Sequence, residues 1–485
     1  MQLYFLLSIL TYEKEMEFMG TFSEFLGWLS SMLWGAPVLI LVFAVGLLYA
    51  VKTKFLHIRY FKHIMKNTLG EIFSKQGVGE HGTLTPFQAV STALSGCVGT
   101  ANISGVATAI FIGGPGAVFW MWVIAIFGML TKCVEVTLAQ YYRVQGEDGV
   151  YYGGPMYYIE KGLGKKWKPL AILFSLTIVF GGLGTAAFVQ PYAMSSAINS
   201  AFHIPTWVTV TLAAVICGIV LIGGVQGIGK FCEKLTPFMC VLYVVAGIGV
   251  LLFNFRNIPE AFGMIFTYAF KPFAAVGGLA GSTMALAVRQ GAARGTFSNE
   301  AGLGSSAITH ATAKSPHPFK EGMYGSLEVF IDTLVVCTIT ALVILSSNVG
   351  IWQSGLKDVQ LTQAAFSNVY GSFGSAAVTI CLMLFAFSTM VGWEMNYESA
   401  FFYIFPKKTK AVKFLLRIVW IIPGFFTLGK TPELIWTIVD VVSGLWCIPN
   451  AIALLLLSGV FMAIFKDYKA KYIDKTKGIN ESIEI

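Results

Sequence analysis

Two stretches of the chain gather peptide groups and short polar side chains where continuous membrane helix is expected. One reads Gly96-Cys97-Val98-Gly99-Thr100-Ala101-Asn102-Ile103-Ser104-Gly105. The other reads Arg294-Gly295-Thr296-Phe297-Ser298-Asn299-Glu300-Ala301-Gly302-Leu303-Gly304. In hydrocarbon every N–H and C=O needs a partner, so an interrupted helix is tolerated only where it lines a cavity or is buried in protein. In the first stretch Gly96, Gly99 and Gly105 weaken the helix, while Thr100, Asn102 and Ser104 compete for its backbone hydrogen bonds. Unwinding near Gly99 to Asn102 frees N–H groups at the start of the following half-helix, a positive end suited to a carboxylate. The freed carbonyls of the preceding half suit a small cation. The competing reading is a close packing seam of small residues; Asn102 in its midst favours a site.

The second stretch repeats the recipe and adds Glu300. An acidic side chain at bilayer depth costs roughly 2.5–3.5 kcal/mol, so Glu300 needs a partner or a role; Arg294 and Arg289 are within sequence reach to pair with it. Phe297 either caps a small ligand or fills core. Lys132 and Glu135, three residues apart, read as a pair on one helix face. Glu328 and Asp332, one turn apart, read either as a proton or cation relay or as a structural network. Gln190 precedes Pro191 at a bend in a long apolar span, where its amide can reach a ligand. Ser388 and Thr389 precede Gly392-Trp393, and two hydroxyls in an apolar run are candidate sodium ligands, since hard cations prefer oxygen. Hydrogen bonding back to the helix is the alternative.

The elements that must hold these groups are membrane spans. Charged residues make up 12% of the 485 residues and mean hydropathy is +0.71, against about 25% charged in soluble proteins. A soluble enzyme of this length is therefore excluded. Apolar windows of about 20 residues give eleven spans, near 31–51, 84–112, 115–139, 169–200, 206–224, 229–254, 274–310, 322–348, 373–404, 412–428 and 433–465. Alternate loops and the tail hold 24 of the 33 Lys and Arg. The positive-inside rule then places the N-terminus outside and the C-terminus in the cytoplasm of a multi-pass cell-membrane protein. The same bias explains the net charge of +8 without a nucleic-acid partner. Leu3 to Leu10 is too short to span and lacks the flanks of a signal peptide; Met16 or Met19 is a reasonable alternative start. Residues 53–66 read as an amphipathic helix on the cytoplasmic interface.

The eight cysteines form no CxxC and the six histidines no HExxH, so neither a disulfide framework nor zinc chemistry is expected. Gly224 to Phe231 approaches a phosphate-binding GxxxxGK, but Phe231 stands where Ser or Thr would hold magnesium. No ATPase module is present in the sequence, and no nucleophile–base set points to an enzyme.

The residues above, in this order, resemble the alanine or glycine:cation symporter family over nearly the whole chain. Thr85-Pro86-Phe87-Gln88-Ala89, Gly113-Gly114-Pro115-Gly116-Ala117-Val118-Phe119-Trp120, Gly153-Gly154-Pro155-Met156-Tyr157-Tyr158-Ile159, Phe297-Ser298-Asn299-Glu300-Ala301-Gly302-Leu303-Gly304 and Phe385-Ala386-Phe387-Ser388-Thr389 carry the likeness. It implies an all-α, LeuT-type fold: two inverted five-helix repeats, residues 84–256 and 257–466, after an N-terminal segment 1–83 and before a cytoplasmic tail 467–485. It also implies sodium-coupled uptake of a small neutral amino acid such as alanine or glycine, with sodium as the co-transported ion and no ATPase subunit. By motif match Gly99, Thr100, Asn102, Gln190, Phe297 and Trp393 would surround the substrate. Gly96, Gly99, Ser388 and Thr389 would hold sodium. Glu300, Asp332 and Glu394 are coupling or gating candidates, and a proton-coupled symporter is the alternative. Two departures stand out. Ala101 replaces the second glycine of the family's Gly-Thr-Gly-Asn, and Glu394 and Tyr397 depart from the pattern after Gly392-Trp393. Glu394 is expected to set an extra carboxylate beside the pocket.

Overall fold

The computed structural model describes residues 21–72, 83–272, 283–347, 349–407, 409–428 and 432–474. The readings at Leu3 to Leu10, Met16 and Met19, and the tail beyond 474, lie outside them. Apart from one two-stranded hairpin, Val144–Gln145 against Tyr151–Tyr152, the described regular structure is helical. Seven helices among the described residues are long and apolar enough to cross a membrane. They carry exposed Ile40, Phe180, Phe238 and Leu252, a lipid-facing belt that a water-soluble surface would not show. The protein is a multi-pass membrane protein.

Four elements build the centre. The first broken helix comprises α1 (Pro86–Cys97) and α2 (Ser104–Gly113), joined by a 3-10 turn, Thr100–Asn102. Thr85 starts α1 with a reciprocal cap: its hydroxyl accepts from Gln88 N, and the Gln88 amide accepts from Thr85 N. Val98 and Gly99 then leave helical geometry, with Val98 extended. The long α3 (Gly116–Tyr141) follows. The second broken helix comprises α4 (Met284–Asn299) and α5 (Ser305–His310). Glu300 ends α4 in the left-handed region at φ 57, and Gly302 and Gly304 share positive φ. Both interruptions read from the sequence are present.

Helix α6 (Pro318–Ser346) packs along α3 more closely than side chains usually permit. A Cβ on Gly322 would lie 2.1 Å from Thr137 Oγ1 and 2.7 Å from the Cys133 carbonyl; one on Gly325 would lie 2.9 Å from the Lys132 carbonyl. Gly322→Ala should therefore cost about 1–3 kcal/mol, seen as a lowered melting temperature in detergent. This approach brings Lys132 Nζ to 2.7 Å from Glu328, both side chains fully buried. Lys132 thus pairs across the helices rather than with Glu135, which accepts from Gly302 N at 3.0 Å and from the Asn450 amide. Between Phe330 and Cys337 α6 widens into a π-helix that carries Asp332, a distortion frequent at functional sites.

Helix α7 (Ser372–Ile404) passes behind the first break, α8 (Lys410–Ile421) lies beside α7, and α9 (Pro432–Leu456) closes the bundle. The amphipathic stretch 53–66 is two short helices, Leu56–Arg59 and Phe61–Asn67, parted at Tyr60. Ile58 and Phe61 are exposed while Leu56 and Ile64 are buried, as an interfacial segment requires.

Candidate functional site

The unwound stretch opens onto a cavity lined by Gly96, Gly99, Thr100 and Ala101 from the first break. Phe297 and Glu300 from the second, and Gln190, Thr389 and Trp393 from neighbouring helices, complete the wall. The free space at its centre is about 10 Å³, the room one water needs, so the lining side chains nearly fill the site in this conformation. Gln190, one residue into helix Val189–Phe202, turns its amide oxygen to Thr100 N at 3.4 Å. Thr100 Oγ1 is buried with no hydrogen-bond partner among the described residues. Thr389 Oγ1 donates to the carbonyls of Ser95 (2.8 Å) and Phe385 (3.0 Å), joining α7 to the end of α1. Trp393 Nε1 donates to Glu300 Oε1 at 2.6 Å, and the other Glu300 oxygen accepts from Ser305 (2.7 Å) and Ser306 (2.8 Å). Bare peptide groups, hydroxyls, one carboxylate and aromatic walls suit a small zwitterion and a hard cation.

Four candidates, Asn102, Asp332, Ser388 and Glu394, face elsewhere. Asn102 lies behind the stretch: its Oδ1 accepts from Gly99 N at 2.9 Å, and its Nδ2 donates to Asp332 Oδ1 at 2.6 Å. It braces the unwound backbone from the side away from the cavity. Asp332 also accepts from Ser298 (2.8 Å) and Thr333 (2.7 Å). Asp332 and Glu328 thus hold different partners, Glu328 pairing with Lys132 and His310, and Asn299 bridges the two groups through its carbonyl to Lys132 and its amide to Thr333. Ser388 donates to the Phe385 carbonyl and meets Met239, and it does not line the cavity. Glu394 is turned away from the cavity that its neighbour Trp393 lines. It borders a second crevice of about 20 Å³ with Glu398, Tyr152 and Thr312. There Arg417 lies 3.6 Å from Glu394 and 3.7 Å from Glu398, while Lys413 lies 3.1 Å from Asp148 on the hairpin. The extra carboxylate belongs to this clamp, since α8 presents its basic face to that side of α7.

Neither arginine reaches Glu300. Arg294 makes a two-pronged ion pair with Asp440 (2.8 and 3.1 Å) and sits 4.7 Å over the Trp436 ring. Arg289 meets Ser30 at 3.3 Å. Both border a vestibule of about 260 Å³ with Lys357 and Asp358. Trp436 meets Phe297 edge-on, 6.0 Å between centroids, so a layer of Phe297, Trp436 and Arg294 parts the vestibule from the cavity. Sequence reasoning missed Asp440 and Trp436; an acid in an otherwise apolar span was the available signal.

Solved structures share this architecture at low identity. A MhsT structure in complex with L-phenylalanine covers 79% of this chain and 90% of its own, with a TM-score of 0.54 and 15% identity. A Na+-coupled sialic acid symporter covers 89% and 92%, with a TM-score of 0.51 and 14% identity. These are LeuT-fold transporters, and the likeness shows the fold. Among sequences, an uncharacterized transporter of Haemophilus influenzae is 40% identical over 451 residues, 92% of this chain and 96% of its own. The sodium/alanine symporter AgcS of Methanococcus maripaludis is 39% identical over 445 residues, 90% and 95% of the two chains. The profile described as the sodium:alanine symporter family matches residues 19–482. With both breaks present and the match running almost end to end, the chain belongs to the sodium:alanine symporter family, and is a cation-coupled amino-acid transporter.

Proposed function

We propose that the protein carries a small neutral amino acid, alanine or glycine, into the cell together with sodium by alternating access. The observation that carries this reading is the unwound Val98 to Asn102 stretch facing Gln190, Thr389 and Trp393 across one cavity. The substrate carboxylate meets the N–H groups leading into α2, and its ammonium meets carbonyl oxygens and the Gln190 amide. Sodium sits among Thr389 and the carbonyls around Gly96 to Gly99. Asp332, held by Asn102, offers a second negative locus for a cation. The eleven-span, 5+5 inverted-repeat reading rests on the same two breaks, each heading one half of the chain. The basic loops support an outside N-terminus and a cytoplasmic C-terminus. In that orientation the wide vestibule faces outward and the Arg417–Glu394 clamp faces inward.

A single sodium moving down about 100 mV contributes about 2.3 kcal/mol, and a tenfold gradient about 1.4 kcal/mol more. Together these permit accumulation of several hundredfold without ATP. The test is labelled alanine and glycine uptake into proteoliposomes with sodium and pH gradients imposed separately. Uptake needing inward sodium supports the reading; uptake driven by pH alone, with no sodium, overturns it.

Ala101 bears on substrate size. Ala101 borders the cavity at the position where the family resemblance implies a second glycine. Ala101→Gly should admit one more methylene, raising the uptake ratio of 2-aminobutyrate to alanine about tenfold, the usual worth of that group in an apolar pocket. Competition assays with both amino acids measure it.

A further inference from the structure

An exposed face on the segment after the first described span has no part in sodium symport. The span ends at Lys52. Lys54 and Phe55, both at φ 54, turn the chain off it into the short helices Leu56–Arg59 and Phe61–Asn67. From Lys52 to Leu69 the sequence holds five Lys or Arg and no Asp or Glu. Lys54, Arg59, Lys62 and Lys66 are exposed, and none of the four makes an ion pair among the described residues. Glu71, the next acid along, is taken by Lys320 at 2.9 Å. Phe55, Ile58 and Phe61 are exposed among these cations, Ile58 at 59%. A face for hydrocarbon alone would not carry four cations, and one for water would not set three large apolar side chains among them. The edge of a bilayer suits both, since rings reach acyl chains while cations meet phosphate.

The other side of the segment is fastened to α6. Glu71 holds Lys320 in the first turn of α6. Met65 packs on the cluster of Val90, Tyr324 and Leu327. Phe61 meets Phe330 edge-on, 5.3 Å between centroids; Phe330 begins the π-helix, and Asp332 lies two residues further. His63 reaches the Tyr468 hydroxyl at 3.1 Å, so the segment is wedged between α6 and the helix Ser458–Tyr468.

We propose that this face binds the headgroups of anionic phospholipids, and that the bound lipid holds the segment against α6 in the arrangement that transports. The second half rests on the alternating-access reading above; the first does not. Without counter-charge the clustered cations repel one another, which loosens the segment on α6. Lipid phosphate relieves that repulsion, and acyl chains cover Phe55 and Ile58 at the same time. The charge and the exposed rings belong to one short stretch directly after a span, so a single headgroup layer reaches all of them.

The test places the full chain in phosphatidylcholine vesicles with and without phosphatidylglycerol. Electron spin resonance of chain-labelled lipids reads the preference of the protein for phosphatidylglycerol over phosphatidylcholine. One Lys or Arg at an anionic surface is worth about fivefold in affinity. The combined variant Arg59→Gln, Lys62→Gln, Lys66→Gln should therefore lose most of the preference. The combined variant Lys161→Gln, Lys165→Gln, Lys166→Gln removes the same charge from exposed positions of another loop and should keep it. Sodium-driven alanine uptake should be several-fold faster with phosphatidylglycerol in the wild type and in this control, and equally slow in both lipids in the first variant. Glycerophosphoglycerol, the headgroup without chains, should displace no labelled lipid. A wild type that does not distinguish the two lipids overturns the proposal whatever the variants do. So does a preference that both variants lower alike, or displacement by the chainless headgroup, which would make a free organic phosphate the occupant. Equal wild-type uptake in the two vesicles overturns the hold on α6. A lipid preference with no sodium-driven uptake in either vesicle leaves the binding face standing and overturns the transport reading, and the second half with it.

Discussion

Gly99→Ala is expected to abolish most sodium-driven uptake while leaving the protein folded. A Cβ at Gly99 would fall 2.7 Å from Thr389 Oγ1 and 3.5 Å from the Gln190 amide oxygen. The added methyl group would push apart the unwound backbone and the hydroxyl proposed to share sodium with it. Forced shifts of this kind cost about 1–3 kcal/mol, and each 1.4 kcal/mol is about tenfold in affinity. Uptake should fall about tenfold to a hundredfold. The backbone at Gly99 has negative φ, so alanine meets a contact problem rather than a conformational ban, and melting temperature should fall by only a few degrees. Gly263→Ala is the control: nothing lies within 4 Å of a Cβ there, and uptake should be unaltered. Normal transport by Gly99→Ala would mean that this stretch does not hold the cargo.

The two breaks were legible because glycine and short polar side chains weaken helix wherever they occur, whatever surrounds them. The long apolar spans were legible because bilayer thickness fixes their length. Pairings across the bundle were not. Spacing along one helix matches Lys132 with Glu135, but Gly322 and Gly325 let α6 come close enough to offer Glu328 instead. Asn102 and Asp332 are 230 positions apart, and Arg294 and Asp440 146; no local pattern links them. The π-helix at Phe330–Cys337 contains neither glycine nor proline, so nothing in its composition announces it. It rotates the following turns and aims Asp332 at Asn102. Glu394 was placed by its neighbour Trp393, yet adjacent residues on a helix point about 100° apart. That geometry sends Glu394 to Arg417 and Trp393 to the cavity.

Asp332→Asn is expected to raise the sodium concentration for half-maximal uptake about tenfold to a hundredfold. Asp332 is fully buried, and its contacts among the described residues are neutral donors from Asn102, Ser298 and Thr333. Lys132 acts on it only through space, being committed to Glu328. A lone buried carboxylate is a standing cost that a mobile cation can relieve. A unit charge about 4 Å away at an effective dielectric of 20 is worth about 4 kcal/mol; desolvation of the ion returns part of that, which leaves the range stated. Asparagine keeps the shape and its oxygen still accepts from the two hydroxyls, while its Nδ2 then faces the Asn102 amide nitrogen and that one hydrogen bond is lost, a cost of about 1–3 kcal/mol that relief of the buried charge offsets, so the π-helix should hold. Removing an uncompensated charge should also leave the sodium-free melting temperature equal or higher. A purely structural Asp332 predicts the reverse: a lower melting temperature in the variant with the sodium requirement unmoved. Uptake titrated against sodium, beside melting curves in sodium-free buffer, distinguishes the two, because a cation site is paid for in stability when empty and a brace is not.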